Sequence, residues 1–265
     1  MVGVRSLLIF IKSMQNKRKE QGMKICELLS RKQSNLWEHK PITIAFLGDS
    51  VTQGCFECYL TSTNGLETVF DYKNVYSTRV REILNILYPN VQVNIINSGI
   101  SGDCAAWGVK RLERDILSYN PDLVVVSYGL NDSSKGMDGI KEYIHSLETI
   151  FLSLKDKETE IVFLTQNYMN TQISPHLKEE KFINLAKSFS ENTQNSGVLK
   201  AYFEEAIKSC EKYNVKVCNL YAAWEKINNA GVNTTELLAN KLNHPIREMH
   251  YYIAIKLIET MLEVS

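Results

Sequence analysis

Apolar residues in this chain fall into short runs that alternate with stretches of helical spacing. Ile42, Ile44, Ala45, Phe46 and Leu47 form a run almost without polar interruption, as expected of a central parallel strand covered on both faces. Val75, Val80, Ile83, Leu84 and Leu87 then recur at helical spacing as far as Pro89-Asn90, where proline cannot continue a helix. The plan repeats. Val91 to Ile96 reads as a strand, Val109, Leu112, Ile116 and Leu117 as a helix, and Leu123 to Val126 as a third strand. Ile140, Ile144, Leu147, Ile150 and Phe151 mark another helix before a strand from Glu160 to Thr165. Lys178 to Tyr213 reads as two helices parted near Asn195-Ser-Gly197, and Val215 to Leu220 as the fifth strand. A polar connection through Asn228, Asn229, Gly231 and Asn233 leads to a closing helix carrying Ile253, Ile255, Leu257 and Met261.

Five strands separated by helices need crossover connections, which are right-handed and cover both faces of a parallel sheet. The expected fold is therefore α/β: a three-layer α/β/α sandwich, flavodoxin-like, with a five-stranded parallel sheet in the order 2-1-3-4-5. The 265 residues accommodate one such domain over residues 41–265, preceded by an N-terminal helical extension over residues 1–40. Lys12 to Arg31 is amphipathic and mainly basic, with Leu7, Leu8, Ile11 and Met14 assigned to the buried side. Gly54 to Tyr72 is polar and shows no clear period, so the stretch around Thr61 to Gly65 is read as a substrate-facing loop.

Charge narrows the partners. Thirty basic residues balance thirty acidic ones, so no global field draws nucleic acid or an anionic membrane, and a small-molecule substrate is expected instead. The apolar opening from Val2 to Ile11 is too short to span a bilayer and is interrupted by Arg5, giving neither a stable membrane insertion nor a cleaved signal. Six scattered cysteines read as reduced thiols of a cytoplasmic protein. Cys55 and Cys58 form a CxxC with no second ligand pair, so they are read as incidental thiols, not a metal site. Nothing in the chain specifies an oligomeric state.

Candidate chemistry collects at the strand ends. Open α/β sheets bind ligands beyond the carboxyl ends of their strands, and the first strand delivers Asp49 and Ser50 there. Ser50 is the candidate nucleophile. A serine hydroxyl needs a base, and a neutral histidine suits that work near neutral pH; His244 follows the last strand on the same edge. The backbone N–H of Ser50, the backbone N–H of Gly99 and the side-chain amide of Asn131 are the candidate oxyanion donors. Asp49 and Asp132 read as turn-stabilising carboxylates. Asp103 and Trp107 are candidates to line an acyl pocket, or alternatively a helix-start acid and a packed indole. His250 and His176 are second choices for the base.

Gly48-Asp49-Ser50 with Thr52 and Gly54, then Gly99, then Gly129-Leu-Asn131-Asp132, and finally His244 before Pro245 resemble the four spaced blocks of the SGNH (GDSL-type) hydrolases. The resemblance runs from about Ile42 to the C-terminus. It implies the flavodoxin-like SGNH fold and hydrolysis of acyl esters through a covalent acyl-Ser50, with His244 as base and no metal or organic cofactor. It also implies Ser50, Gly99 and Asn131 as the oxyanion hole. One position departs from the family: an aspartate usually stands three residues before the histidine, and here that residue is Lys241. The ring N–H is left to Asn240, Asn243 or a main-chain carbonyl, or to a carboxylate from elsewhere such as Glu248 or Glu236. The expected activity is an esterase acting on a small acyl group, such as acetyl, carried by a carbohydrate or other polar alcohol. The alternative is a catalytically impaired binding or scaffold module that keeps the fold.

Overall fold

The computed structural model describes residues 22–63 and 65–263. The unbroken apolar run forms β1 (Ile42–Gly48), in which every residue but Thr43 is buried. It lies between β4 (Val93–Gly99) and β5 (Leu123–Ser127), followed outward by β6 (Glu160–Leu164) and β7 (Lys216–Cys218). All four pairings are parallel, and the order β4-β1-β5-β6-β7 is the flavodoxin-like arrangement expected from the alternation. Helices α1 (Lys24–Ser34), α3 (Tyr76–Leu87) and α9 (Arg247–Leu262) pack together on one side of the sheet. Helices α4 (Ala105–Asp115), α5 (Ile140–Lys155) and α7 (Val198–Lys212) pack together on the other, with α6 (Glu180–Phe189) leading into α7 through a π-helical turn.

Part of the N-terminal extension joins this core. Ile25 and Leu29 of α1 are buried in the same cluster as the sheet, and the Glu160 carboxylate accepts the Lys24 and Ile25 N–H groups at 2.8 Å each. An acid placed there satisfies orphan donors and opposes the positive end of the helix dipole. The assignment of Leu7, Leu8, Ile11 and Met14 lies outside the described residues.

Two stretches differ from the sequence expectation. Gly54 to Tyr72 holds an antiparallel hairpin of β2 (Cys55–Leu60) and β3 (Leu66–Phe70), and Thr61 and Gly65 bracket its turn. Its register places Cys55 opposite Phe70 but Cys58 opposite Thr68. That extra residue is a bulge, and it breaks the alternation by which a strand is recognised. The second is the supposed polar connection, which opens with helix α8 (Leu220–Asn229). Asn219 caps it by accepting the Ala222 N–H at 3.0 Å, so the fifth strand ends at Cys218 and the apolar run through Trp224 belongs to the helix.

Candidate active site

Register alone levels three loops. Gly48 pairs with both Gly99 and Ser127, so β1, β4 and β5 release their chains side by side. The one-turn helix α2 (Ser50–Gln53) starts at Ser50, and Asp49 caps it by accepting the Val51 N–H at 3.0 Å. A first-position helical N–H has no carbonyl within its own helix, so the Ser50 amide is left as a donor. Close packing holds α2 against β4: a Cβ on Gly99 would stand 2.1 Å from the Gln53 nitrogen.

His244 meets Ser50. Its Nε2 lies 3.0 Å from Ser50 Oγ, and its Nδ1 lies 3.0 Å from the Phe56 carbonyl oxygen on β2. A carbonyl only accepts, so Nδ1 carries the proton and the Nε2 lone pair faces the serine. The loop that presents the ring is folded around Asn240, whose Oδ1 accepts the N–H groups of Leu242, Asn243 and His244 at 3.0 Å each. Lys241 turns away, its ammonium 2.8 Å from Glu236. The main-chain carbonyl is thus the ring's partner, and Asn240, Asn243, Glu236 and Glu248 are not; Cys58 Sγ also stands 3.9 Å from Nδ1.

Burial pushes the His244 imidazole down to about 4, against the upward pull of its bond to Phe56. The ring is therefore neutral, the form a base requires, throughout the neutral range. The acid limb of kcat/KM for a simple ester is expected near pH 4, well below the reference value of about 6.5. An NMR titration of the His244 ring that coincides with the limb assigns it. A limb and a titration both at or above the reference value would contradict the dry, carbonyl-bonded ring.

The candidate oxyanion donors divide. Asn131 gives one amide hydrogen to the Asp103 carbonyl at 2.8 Å, and an amide nitrogen has two, so one remains. Gly99 does not stand free: its N–H donates to Asn97 Oδ1 at 3.0 Å, and its lack of a side chain serves the packing of α2. Three residues on, Gly102 sits at a φ of 79° with nothing within 4 Å of where a Cβ would be. Its N–H donates to no described residue.

Residues missed in the sequence tie these loops together. Gln166, just past β6, donates Nε2 to Asp49 Oδ2 and accepts the Leu130 N–H, both at 2.8 Å, linking the neighbours of Ser50 and Asn131. Arg111 reaches the carbonyls of Gly48 at 3.0 Å and Ser98 at 2.7 Å and pairs with Asp103. Asp103 is consequently a buried partner of Arg111 and Tyr128. Trp107 is 65% exposed, with Lys110 over its ring, and is no packed indole. Burial pushes Asp49 up to about 7 and Asp132 up to about 6; both accept backbone N–H groups, in keeping with structural roles. His250 is buried with Nδ1 accepting the Tyr76 N–H at 3.2 Å, and His176 is exposed beside Glu236, so neither reaches Ser50. Among the described residues, no cluster of three or more His, Cys, Asp or Glu side chains is arranged to hold a metal ion, and no helix is long and apolar enough to cross a membrane.

Comparison with known proteins points the same way. Residues 46–251 match the GDSL-like lipase/acylhydrolase family. An acetylxylan esterase of Geobacillus stearothermophilus is 25% identical over 178 residues, which cover 63% of this chain and 80% of that protein. An arylesterase of Vibrio mimicus is 30% identical over 110 residues, 38% of this chain and 54% of that protein. The crystal structure of the Geobacillus acetylxylan esterase superposes with a TM-score of 0.62 at 19% identity, covering 84% of this chain and 94% of the other. At that identity the superposition speaks to the fold.

Proposed function

Because the chain belongs to the GDSL-like lipase/acylhydrolase family, a family of carboxylic ester hydrolases, we propose that it removes a small acyl group, acetyl, from a carbohydrate alcohol through an acyl-Ser50 intermediate. The observation that carries this reading is the chain of contacts from Ser50 Oγ through His244 to the Phe56 carbonyl, 3.0 Å at each step. Nε2 takes the hydroxyl proton as Oγ bonds to the ester carbon. The resulting oxyanion is held by the Ser50 N–H, the free Asn131 amide hydrogen and, in place of Gly99, the Gly102 N–H. His244 then passes its proton to the departing alcohol oxygen as the ester C–O bond breaks. Water, deprotonated by the same nitrogen, releases acetate and restores the serine.

No charged third member faces the ring. The Phe56 carbonyl fixes the tautomer and its dipole stabilises the imidazolium, a weaker influence than a carboxylate. The acetylxylan esterase relative supports an acetylated sugar as the substrate class. Six free cysteines support a reducing, cytoplasmic setting. The test is acetate release from acetylated xylo-oligosaccharides set beside p-nitrophenyl esters of two to ten carbons. Turnover of the acetylated sugar, with kcat/KM falling as the p-nitrophenyl acyl chain lengthens, is expected. Activity that rises with chain length and spares the sugar acetates would overturn the substrate assignment.

A further inference from the structure

The carbonyl that orients His244 belongs to a hairpin outside the central sheet, so something must hold that hairpin against the histidine loop. Arg247, three residues beyond His244 in the first turn of α9, reaches β2 and the residue that follows β3. Its Nη1 and Nη2 meet the two Glu57 carboxylate oxygens at 2.6 and 3.1 Å, and its Nε meets Asp71 Oδ2, just past β3, at 2.8 Å. The guanidinium also lies over the Phe56 ring, 4.3 Å from its centroid. On the same ring His250, from the next turn of α9, packs at 4.7 Å. Within β2 the residues Phe56 and Cys58 touch the His244 ring while Glu57, between them, is the one gripped by Arg247.

We propose that Arg247 is a positioning residue for catalysis: its fork on Glu57 and Asp71 holds the hairpin so that the Phe56 carbonyl meets His244 Nδ1 and keeps the reactive tautomer. The inference rests on the esterase reading of Ser50 and His244. A planar guanidinium is suited to this task because it engages one carboxylate with two parallel bonds while a third donor reaches the other. Partial exposure of all three side chains limits what the pairs add to global stability. Their effect is on the placement of one carbonyl. The titratable groups beside the ring are the Cys58 thiol from the hairpin and, from α9, His250, which Arg247 in turn faces.

The experiment compares wild type with Arg247→Met, Arg247→Lys, Glu57→Gln and Asp71→Asn on p-nitrophenyl acetate, with thermal melts as a check on folding. Misplacement of a catalytic contact by about 1 Å costs about 100-fold in rate, so kcat of Arg247→Met is expected to fall by about that factor with KM nearly unchanged. Loosening the hairpin admits water to the ring and relieves the burial that depresses it, so the acid limb of kcat/KM should move upward from about pH 4. Arg247→Lys should recover part of the rate. The two hairpin variants, which leave the helix intact, should reproduce the effect in smaller measure, and they decide the matter if Arg247→Met does not fold. Long-range 1H–15N NMR reads the His244 tautomer without any turnover: Nδ1–H in wild type, and a mixture in Arg247→Met. A folded variant that keeps its rate, or loses rate with the limb and tautomer unmoved, overturns the role of Arg247. If wild type shows the expected tautomer but no esterase activity, the esterase reading fails and Arg247 keeps its effect on the ring.

Discussion

Ser50→Ala is expected to lower kcat on p-nitrophenyl acetate by about four orders of magnitude, His244→Ala by a comparable factor, and the double variant no further than the worse single one. The non-additivity is the informative part. With Ser50 Oγ and His244 Nε2 in contact at 3.0 Å, the two act as one unit, so removing either leaves the other with nothing to do. What survives is the contribution of substrate binding and the oxyanion donors, which neither substitution touches. Steady-state kinetics on the four proteins, with stoichiometric labelling by a serine-reactive phosphonate, measures this. Losses that multiply in the double variant, or labelling that persists in Ser50→Ala, would place the nucleophile elsewhere. The neutral Phe56 carbonyl also lowers the wild-type starting point, since it gives the imidazolium no full negative charge to lean on. The measured factors should therefore be smaller than those of hydrolases with an acidic third member.

How much of this was legible before the structure follows from where each contact comes from. His244, which lies beyond α8, could be found from the last block of the family resemblance, and Ser50 and Asn131 because each follows a strand and parallel alternation brings strand ends to one edge. The layer order and the five parallel strands were legible for the same reason: apolar runs and helical spacing report burial, and burial dictates the layers. Phe56 could not be found, because a backbone carbonyl has no residue type to betray it and its partner lies 188 positions away. The bulge between Cys55 and Cys58 hid even the strand that carries it. Lys241 signalled that the usual acid was missing, and Asn240, Asn243, Glu236 and Glu248 were the side chains nearest to hand, but the loop spends Asn240 on its own N–H groups and Glu236 on Lys241. Gly99, the last residue of β4, and Gly102, three residues on, share one residue type. Only the hydrogen bond to Asn97 and the left-handed backbone at Gly102 tell them apart. Gln166 and Arg111 act between loops distant in sequence, and such cross-ties have no local signature.

Asn131→Ala is expected to lower kcat by about 10²- to 10³-fold while KM changes little, the loss reported for removing a single oxyanion donor. The split follows from when the interaction matters. A carbonyl oxygen in the bound ester carries partial charge and takes a modest hydrogen bond, whereas the tetrahedral intermediate carries a full charge and draws the same donor strongly, so the contact counts mainly in the transition state. Asn131 is well prepared for this, because its other amide hydrogen is fixed on the Asp103 carbonyl at 2.8 Å and Asp103 is anchored by buried Arg111. The donor needs no reorientation as charge develops. Asn131→Asp sharpens the test: it has nearly the same shape, but its carboxylate repels both the oxyanion and the Asp103 carbonyl, so it should be slower than alanine. A loss carried wholly by KM, or an aspartate variant faster than the alanine one, would assign the amide to substrate binding. Melting curves guard the comparison, since losing the bond to Asp103 costs on the order of 1 kcal/mol, too little to unfold the domain and far too little to account for the expected fall in rate.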